Sequence, residues 1–122
     1  MLKAAARRVL SIGECMVEFS SLATGNYRRS FAGDTFNTAW YLRKLLNPDW
    51  SVQYFTCIGD DRQSQDMLAF MEDSQIDTAH VTALPGEACG LYTISLDAGE
   101  RGFSYWRQTA AVRHLADEPE AL

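Results

Sequence analysis

The chain has 122 residues, of which 47% are hydrophobic and 11% aromatic, so it carries enough apolar side chains for the core of a globular domain and is unlike a disordered chain. The net charge is −5 and the pairs of basic residues are isolated from one another, so the sequence predicts no positive surface of the kind that binds nucleic acids or anionic membranes. No apolar run reaches the length of a membrane span and no apolar segment follows the basic N-terminus, so we expect a cytoplasmic protein.

The first half of the chain alternates strand and helix patterns. An apolar run over residues 9–13 predicts a buried parallel strand, and residues 15–19 continue extended and pair with residues 27–31 across a turn. A broad apolar stripe predicts a helix over residues 35–46, which the following Asn-Pro pair ends.

A second strand and helix follow over residues 52–58 and 63–74, after which residues 76–81 return the chain to the sheet. The order strand, hairpin, helix, strand, helix indicates a doubly wound parallel sheet. A second hairpin is then predicted from residues 90–96 and 101–107, which flank an Asp-Ala-Gly-Glu turn. Its position suggests a sheet that lies off the main α/β layer, and a weakly helical stretch precedes an acidic end.

The most informative stretch is the corner at Ala32-Gly33, which leads directly into a helix. Glycine allows the backbone to approach a ligand, and Asp34 or Thr35 is placed to cap the helix. The polar side chains of Asp34 and Asn37 then face whatever lies above the corner. An ordinary capped helix would show the same residues.

Three polar-tipped side chains mark the second hairpin. Tyr105 and Arg107 are two residues apart and share one face of a strand, and Tyr92 on the paired strand has the spacing to join them. Two phenols and a guanidinium suit a polyhydroxylated ligand with a carboxylate, because arginine offers a fork of donors that matches it. The alternative is a solvated arginine beside two half-buried tyrosines.

The remaining polar residues are weaker candidates for a functional site. Glu14 and Glu18 could form a carboxylate pair, but four residues apart on an extended segment they are better interpreted as simple polar positions. The turn at Asp60-Asp61 fits a helix cap better than a cation site. The two histidines have no companion at ligand spacing, and the odd number of cysteines indicates free buried thiols, so no metal site is predicted.

Five short segments, taken together, point to a known family. The chain resembles the N-terminal part of the ribokinase-like (PfkB) carbohydrate kinases, and within that family those that act on 2-keto-3-deoxygluconate, over about residues 9–114. The segments are Ile-Gly-Glu-Cys-Met-Val-Glu at 12–18, Phe-Ala-Gly-Asp-Thr-Phe-Asn-Thr-Ala at 31–39, Ile-Gly-Asp-Asp at 58–61, Gly-Leu-Tyr at 90–92 and Phe-Ser-Tyr-Trp-Arg at 103–107.

The resemblance implies an α/β fold, namely the N-terminal portion of a ribokinase-like doubly wound parallel sheet with a small β-sheet lid formed by the two hairpins. Residues 1–122 would be the N-terminal part of one kinase domain, with lid segments at about 14–31 and 90–107. The implied activity is transfer of the ATP γ-phosphate to a hydroxyl of 2-keto-3-deoxygluconate.

The resemblance also implies roles for the marked residues. Gly33, Asp34 and Asn37 would line the sugar pocket, while Tyr92, Tyr105 and Arg107 would contact the keto-acid, with Arg107 on the carboxylate. An acidic sugar is favoured because a desolvated arginine needs an anionic partner. The chain departs from the family pattern at Ala32, where glycine is usual, and at Glu18, where aspartate is common and a sugar contact is implied.

The family's catalytic aspartate, in a Gly-Ala-Gly-Asp type motif, has no counterpart among the 122 residues. We therefore expect no catalytic residue here, ATP and Mg²⁺ only in the complete enzyme, and no kinase activity from this chain alone. Two alternatives stay open: a kinase of a neutral sugar such as fructose or ribose, and a truncated, non-catalytic lid module that forms homo-oligomers through its strands. Apolar faces left open on residues 9–12 and 52–58 would favour such association.

Overall fold

The protein is represented by a computed structural model that describes residues 7–117, so residues 1–6 and residues 118–122, which include most of the acidic end, lie outside the described part. Every element predicted from the sequence is present, with ends that differ by a few residues. In chain order the elements are β1 (Arg7–Ile12), β2 (Met16–Ser21), β3 (Tyr27–Ala32), α1 (Asp34–Leu45), β4 (Trp50–Ile58), α2 (Arg62–Asp73), β5 (Val81–Ala83), β6 (Leu91–Asp97), β7 (Glu100–Trp106) and a 3₁₀ turn (Ala111–His114).

The first sheet is parallel and has the order β1-β4-β5. Val9 pairs with Val52, and Thr56 pairs with Val81, so each helical crossover moves the chain one strand further in the same direction. The predicted return over residues 76–81 is shorter than expected. It begins as a single bridge between Gln53 and Asp77 and becomes a strand only at Val81.

Both helices cover the same face of the parallel sheet. Alternate residues of β4 are buried beneath them, because successive side chains of a strand point to opposite faces. The opposite face is open at Leu10 and Ile12, which are 43% and 49% exposed. The apolar face that α1 buries is narrower than the sequence predicted, since Leu45 is 81% exposed. The fully enclosed side chains of the core include Val52, Tyr54, Ile58, Phe36, Met67 and Met71.

The two hairpins join into a second sheet, called here the lid sheet, with the order β3-β2-β6-β7. Strand β2 pairs with β3 in antiparallel fashion and with β6 in parallel fashion, which connects the hairpins. Ala98 and Gly99 adopt positive φ angles and form the tight turn between β6 and β7. The predicted sheet off the main layer is therefore confirmed.

The helix caps differ from expectation at one of the two positions. The N-cap of α1 is Gly33, and no side chain caps it, so the prediction that Asp34 or Thr35 caps this helix is wrong. Asp34 already lies in the first helical turn, where its negative charge interacts favourably with the helix dipole. Asp61 does cap α2, because its Oδ1 accepts a hydrogen bond from the Ser64 backbone nitrogen at 3.2 Å.

All three cysteines are free thiols. Only Cys15 is buried, and Cys57 and Cys89 are partly exposed, so the prediction of three buried thiols is wrong for two of them. Among the helices of residues 7–117, none has both the length and the apolar character needed to cross a membrane.

Candidate functional site

A cavity of about 450 Å³ lies between the N-terminus of α1 and one face of the lid sheet. This volume falls within the range of small-molecule sites in proteins. The six residues proposed from the sequence as substrate-binding all line it, although they come from two distant parts of the chain. The lining residues are Gly33, Asp34, Asn37, Tyr92, Tyr105 and Arg107, together with Glu14, Met16, Thr35 and Phe103.

The floor of the cavity depends on the absence of a side chain at Gly33. A Cβ atom at this position would lie 2.5 Å from the backbone oxygen of Glu14, closer than such atoms approach. The corner can therefore pack against the segment between β1 and β2 only with glycine. Asp34 and Asn37 follow at helical spacing, and both are exposed towards the cavity.

The wall of the cavity is a row of aromatic rings on the lid sheet. Tyr92 and Tyr105 are register partners across β6 and β7, and their rings stack with centroids 5.7 Å apart. Phe103 lies two residues before Tyr105 on the same face, with ring centroids 6.4 Å apart. The resulting surface offers flat rings to the apolar faces of a ligand, and within the described part of the chain the phenol of Tyr105 has no hydrogen-bond partner.

The hydroxyl of Tyr92 is committed within the protein, because it donates a short hydrogen bond to Oε2 of Glu18. The other oxygen of Glu18 accepts hydrogen bonds from Ser20 at 3.1 Å and Ser30 at 3.2 Å. Burial, and then the hydrogen bond and charge of Glu18, raise the pKa of Tyr92 well above its usual range, so the phenol keeps its proton. Glu18 therefore braces the wall and does not line the cavity.

Arg107 closes one end of the row. Its guanidinium carbon lies 5.6 Å from the Tyr105 ring centroid, and its Nη2 lies 3.2 Å from Oε1 of Glu14. The arginine side chain is 47% exposed and that of Glu14 only 14% exposed. The expectation that Glu14 and Glu18 are simple polar positions is wrong for both, since each carboxylate has a specific partner in the lid sheet.

The ion pair also bears on the charge of the ligand. Arg107 does not require an anionic ligand to offset its desolvation, because Glu14 already supplies an anion within the chain. Among residues 7–117 the guanidinium makes one ion-pair contact, from Nη2, which leaves its other N–H groups available to a ligand. A carboxylate contact is thus allowed by the geometry without being demanded by it.

Four lining residues were not among those predicted to bind substrate, namely Glu14, Met16, Thr35 and Phe103. Phe103 carried a usable signal, because its spacing of two from Tyr105 places both on one strand face. Glu14 carried none, since its contact with Arg107 arises only when the first and last thirds of the described chain come together.

Residues 7–117 show no fit to a nucleotide or a metal ion. Within this range, no group of three or more metal-ligating side chains is close enough to hold a cation. The N-termini of α1 and α2 begin at Gly33-Asp34 and at Asp61, and neither offers a glycine-rich cradle for phosphates. The cavity described above can therefore bind and orient a small molecule, and no step through ATP or Mg²⁺ follows from these residues.

A second cavity, of about 460 Å³, lies near the end of β4 and contains none of the six proposed residues. The 3₁₀ turn forms part of its wall, where His114 pairs with Asp117 at 2.7 Å and with Glu87 at 3.6 Å. The carboxylates of Asp117 and Glu87 raise the pKa of His114 above its ordinary value, and the largest cause is the hydrogen bond that His114 donates to Asp117.

Comparison with known proteins supports one family. Residues 6–121 match the family described as pfkB family carbohydrate kinase. Two curated relatives named 2-dehydro-3-deoxygluconokinase, from Dickeya dadantii and Haemophilus influenzae, are 39% and 35% identical over 94% and 93% of this chain. The chain spans 37% of the length of each of these relatives.

Solved structures show the same fold. The crystal structure of 2-dehydro-3-deoxygluconokinase from Thermotoga maritima is similar with a TM-score of 0.80 and 17% identity, over 95% of this chain and 36% of that one. Fructokinase with bound ATP from Xylella fastidiosa gives a TM-score of 0.79 and 21% identity, over 93% of this chain and 36% of that one. The ribokinase-like fold is thereby confirmed. The chain belongs to the pfkB family of carbohydrate kinases.

Proposed function

We propose that this chain forms the substrate-binding and lid portion of a kinase that transfers the ATP γ-phosphate to a hydroxyl of 2-keto-3-deoxygluconate. The observation that carries the proposal is the single cavity of about 450 Å³ that contains Gly33, Asp34 and Asn37 on one side and the lid-sheet residues on the other. The names of relatives at 35% to 39% identity favour this sugar acid among the substrates of the family.

Each part of the cavity would perform a distinct task. Asp34 and Asn37 would bind sugar hydroxyls, because a carboxylate and an amide offer acceptors and donors at helical spacing. Tyr105 would contact the sugar with its free phenol and its ring, and Tyr92 with its ring face. Arg107 would bind the ligand carboxylate with the N–H groups that Glu14 leaves free.

The lid sheet would cover the bound sugar and exclude water from it. Its segments, at about residues 14–31 and 90–107, lie outside the parallel sheet and share one wall of the cavity. Excluding water strengthens polar contacts inside a site and suppresses transfer to water in place of the sugar. Mg²⁺ and ATP belong to the complete reaction, and we place that reaction in the cytoplasm, where free thiols such as Cys15 persist.

A kinase of a neutral sugar is a second candidate, and one observation favours it. The ionisable acids and bases that line the cavity are Glu14, Asp34 and Arg107, which sum formally to −1. A neutral sugar such as fructose or ribose would meet no net repulsion there. The similarity to a fructokinase structure concerns the fold and does not favour either substrate.

Calorimetric titration of the purified chain with 2-keto-3-deoxygluconate and with D-fructose tests the proposal. We expect the sugar acid to bind more tightly, and Arg107→Gln to weaken it by about tenfold to hundredfold, the loss of a charge-assisted hydrogen bond. Arg101→Gln is the matched control, because Arg101 is an exposed arginine in β7, the strand that Arg107 follows, and it does not line the cavity. Equal effects of the two substitutions, or tighter binding of fructose, would contradict the proposal.

We also propose that the 122 residues by themselves do not transfer phosphate, because neither the catalytic aspartate motif nor a nucleotide cradle is found among the described residues. A coupled assay for ADP release with the sugar acid and Mg-ATP should show no turnover above background. Measurable turnover that disappears on heat denaturation of the chain would overturn this proposal.

A further inference from the structure

The two oxygens of the Glu14 carboxyl group lie in different surroundings. Its Oε1 contacts the Arg107 guanidinium, while its Oε2 is buried and has no hydrogen-bond partner among the described residues. Gly90 closes over it, since a Cβ atom there would lie 2.5 Å from Oε2. An ionised oxygen in such a position depends on the neighbouring cation for its stability.

The charges around Glu14 come from several elements. Arg107 follows β7, and Arg113 in the 3₁₀ turn holds the Arg107 backbone oxygen with its Nε at 3.0 Å. Asp34 of α1 shares the cavity and adds a negative charge. Other titratable neighbours are Cys15, Cys89 and Tyr54, and burial raises the pKa of each, which favours the neutral form.

Two influences on Glu14 oppose one another. Burial raises the pKa of the Glu14 carboxyl, whereas the charges of Arg107 and Arg113 lower it, and the effect of burial is the larger. Glu14 is therefore protonated more easily than an exposed glutamate. An anion bound to Arg107 offsets the positive charge that lowers the pKa of Glu14, and therefore raises that pKa further.

We propose that Glu14 is an internal counter-ion of Arg107 that an anionic ligand displaces, and that Glu14 takes up a proton from solvent when such a ligand binds. This inference rests on the proposed function, because it assumes that the cavity receives a sugar acid. Charge is conserved within the site: the ligand carboxylate replaces the Glu14 carboxylate as the anion paired with Arg107. A neutral sugar leaves the pair intact and brings no proton with it.

Glu14 is then a residue that determines specificity. While ionised, it lowers the affinity of the cavity for acids relative to neutral sugars, and this discrimination decreases as the pH falls. Glu14→Gln preserves an acceptor for Nη2 of Arg107 but removes the charge. It should therefore tighten binding of the acid near pH 7 relative to that of the neutral sugar, by about tenfold, the equivalent of one pKa unit of interaction.

Calorimetry measures the proton directly. The chain is titrated with 2-keto-3-deoxygluconate in two buffers of different ionisation enthalpy, at a series of pH values that runs upwards from the ordinary carboxyl pKa. We expect net proton uptake with the wild-type chain and none with Glu14→Gln. D-Fructose, titrated in parallel, should show no uptake with either protein.

A second measurement does not need a ligand. Carboxyl carbon NMR should show that Arg107→Gln raises the pKa of Glu14, and that Arg101→Gln leaves it unchanged. Binding of the acid without proton uptake, or a Glu14 carboxyl that does not respond to Arg107→Gln, would overturn the inference and leave the proposed function standing. Failure of the chain to bind the acid at any pH would overturn both.

Discussion

The hydroxyl groups of Thr35 and Tyr54 lie 2.8 Å apart, directly beneath the corner that forms the floor of the cavity. Tyr54 is fully buried in the middle of β4, and Thr35 belongs to the first turn of α1. The hydrogen bond therefore connects the core of the parallel sheet to the helical turn that carries Asp34 and Asn37, two residues that line the cavity. Ser11 adds to the connection by donating to the Thr35 backbone oxygen at 2.8 Å.

Tyr54→Phe should lower the free energy of unfolding by about 0.5 to 1.5 kcal/mol, the net worth of one hydrogen bond. The ring contacts with Phe36 remain, so the loss comes from the hydroxyl alone. Denaturant unfolding measures it, and Thr35→Val completes a double-mutant cycle. Effects that add fully in the double variant would show that the two hydroxyls do not interact.

Gly33→Ala should destabilise the chain by about 2 to 4 kcal/mol, because the added methyl group meets the Glu14 backbone oxygen and the φ angle of +153° disfavours side chains. Gly25→Ala is the matched control. It has a φ angle of +78° but no atom within 4 Å of the added carbon, so only about 1 kcal/mol of backbone strain is expected. Equal losses at the two positions would mean that the close approach at Gly33 is unimportant.

Removal of one ring from the aromatic row separates stacking from hydrogen bonding. Tyr105→Phe should weaken sugar-acid binding by about fivefold through loss of the phenol, and Tyr105→Ala by about fiftyfold through loss of the ring as well. Tyr105 is 51% exposed, so neither change should alter the unfolding midpoint greatly. Calorimetric titration of both variants provides the comparison, and identical losses would assign the whole effect to the hydroxyl.

The His114 cluster predicts a pH dependence of stability. Because Asp117 and Glu87 raise the pKa of His114 in the folded chain, its contribution is fully present below the unfolded pKa and is lost as the pH rises through the folded pKa. His114→Asn should therefore lower the unfolding midpoint at about pH 5.5 and change it little at about pH 8.5, on either side of the imidazole titration. A difference that is equal at the two pH values would exclude the charged pair as its cause.

Association through the lid sheet can be distinguished from association through the open face of the parallel sheet. β3 and β7 are the edge strands of the lid sheet, and Trp106 on β7 is 60% exposed. If the lid strands form the contact, light scattering should show a mass above the 13.7 kDa of one chain, and Trp106→Lys should reduce it.

Two matched substitutions decide the outcome of that measurement. Tyr41→Lys replaces an aromatic residue of α1 that is also 60% exposed, and should leave the oligomer unchanged. Ile12→Lys tests the open face of the parallel sheet. Dissociation by Ile12→Lys alone would place the contact on that face and contradict association through the lid.

Much of the fold could be predicted because it depends on local patterns. The apolar run of β1 is visible in consecutive residues. Strands β6 and β7 are also neighbours in sequence, and the two-residue turn between them specifies their register. The aromatic row was predictable for the same reason, since a spacing of two places Tyr105 on the face shared with Arg107. The N-cap of α1 was not predictable in this way, because it is Gly33, and the close approach of Gly33 to the backbone of Glu14 arises only in the folded chain.

The order of the strands and helices along the chain, the two hairpins and six of the residues that line the cavity could all be predicted from the sequence. The charges that these six residues meet depend on how distant segments pack together. The parallel pairing of β2 with β6 brings Glu18 to Tyr92, 74 residues away, and the same closure brings Glu14 to Arg107. Such pairs follow from packing between distant segments, which no local pattern encodes, and they decide whether Arg107 meets a ligand as a free cation or as half of an ion pair.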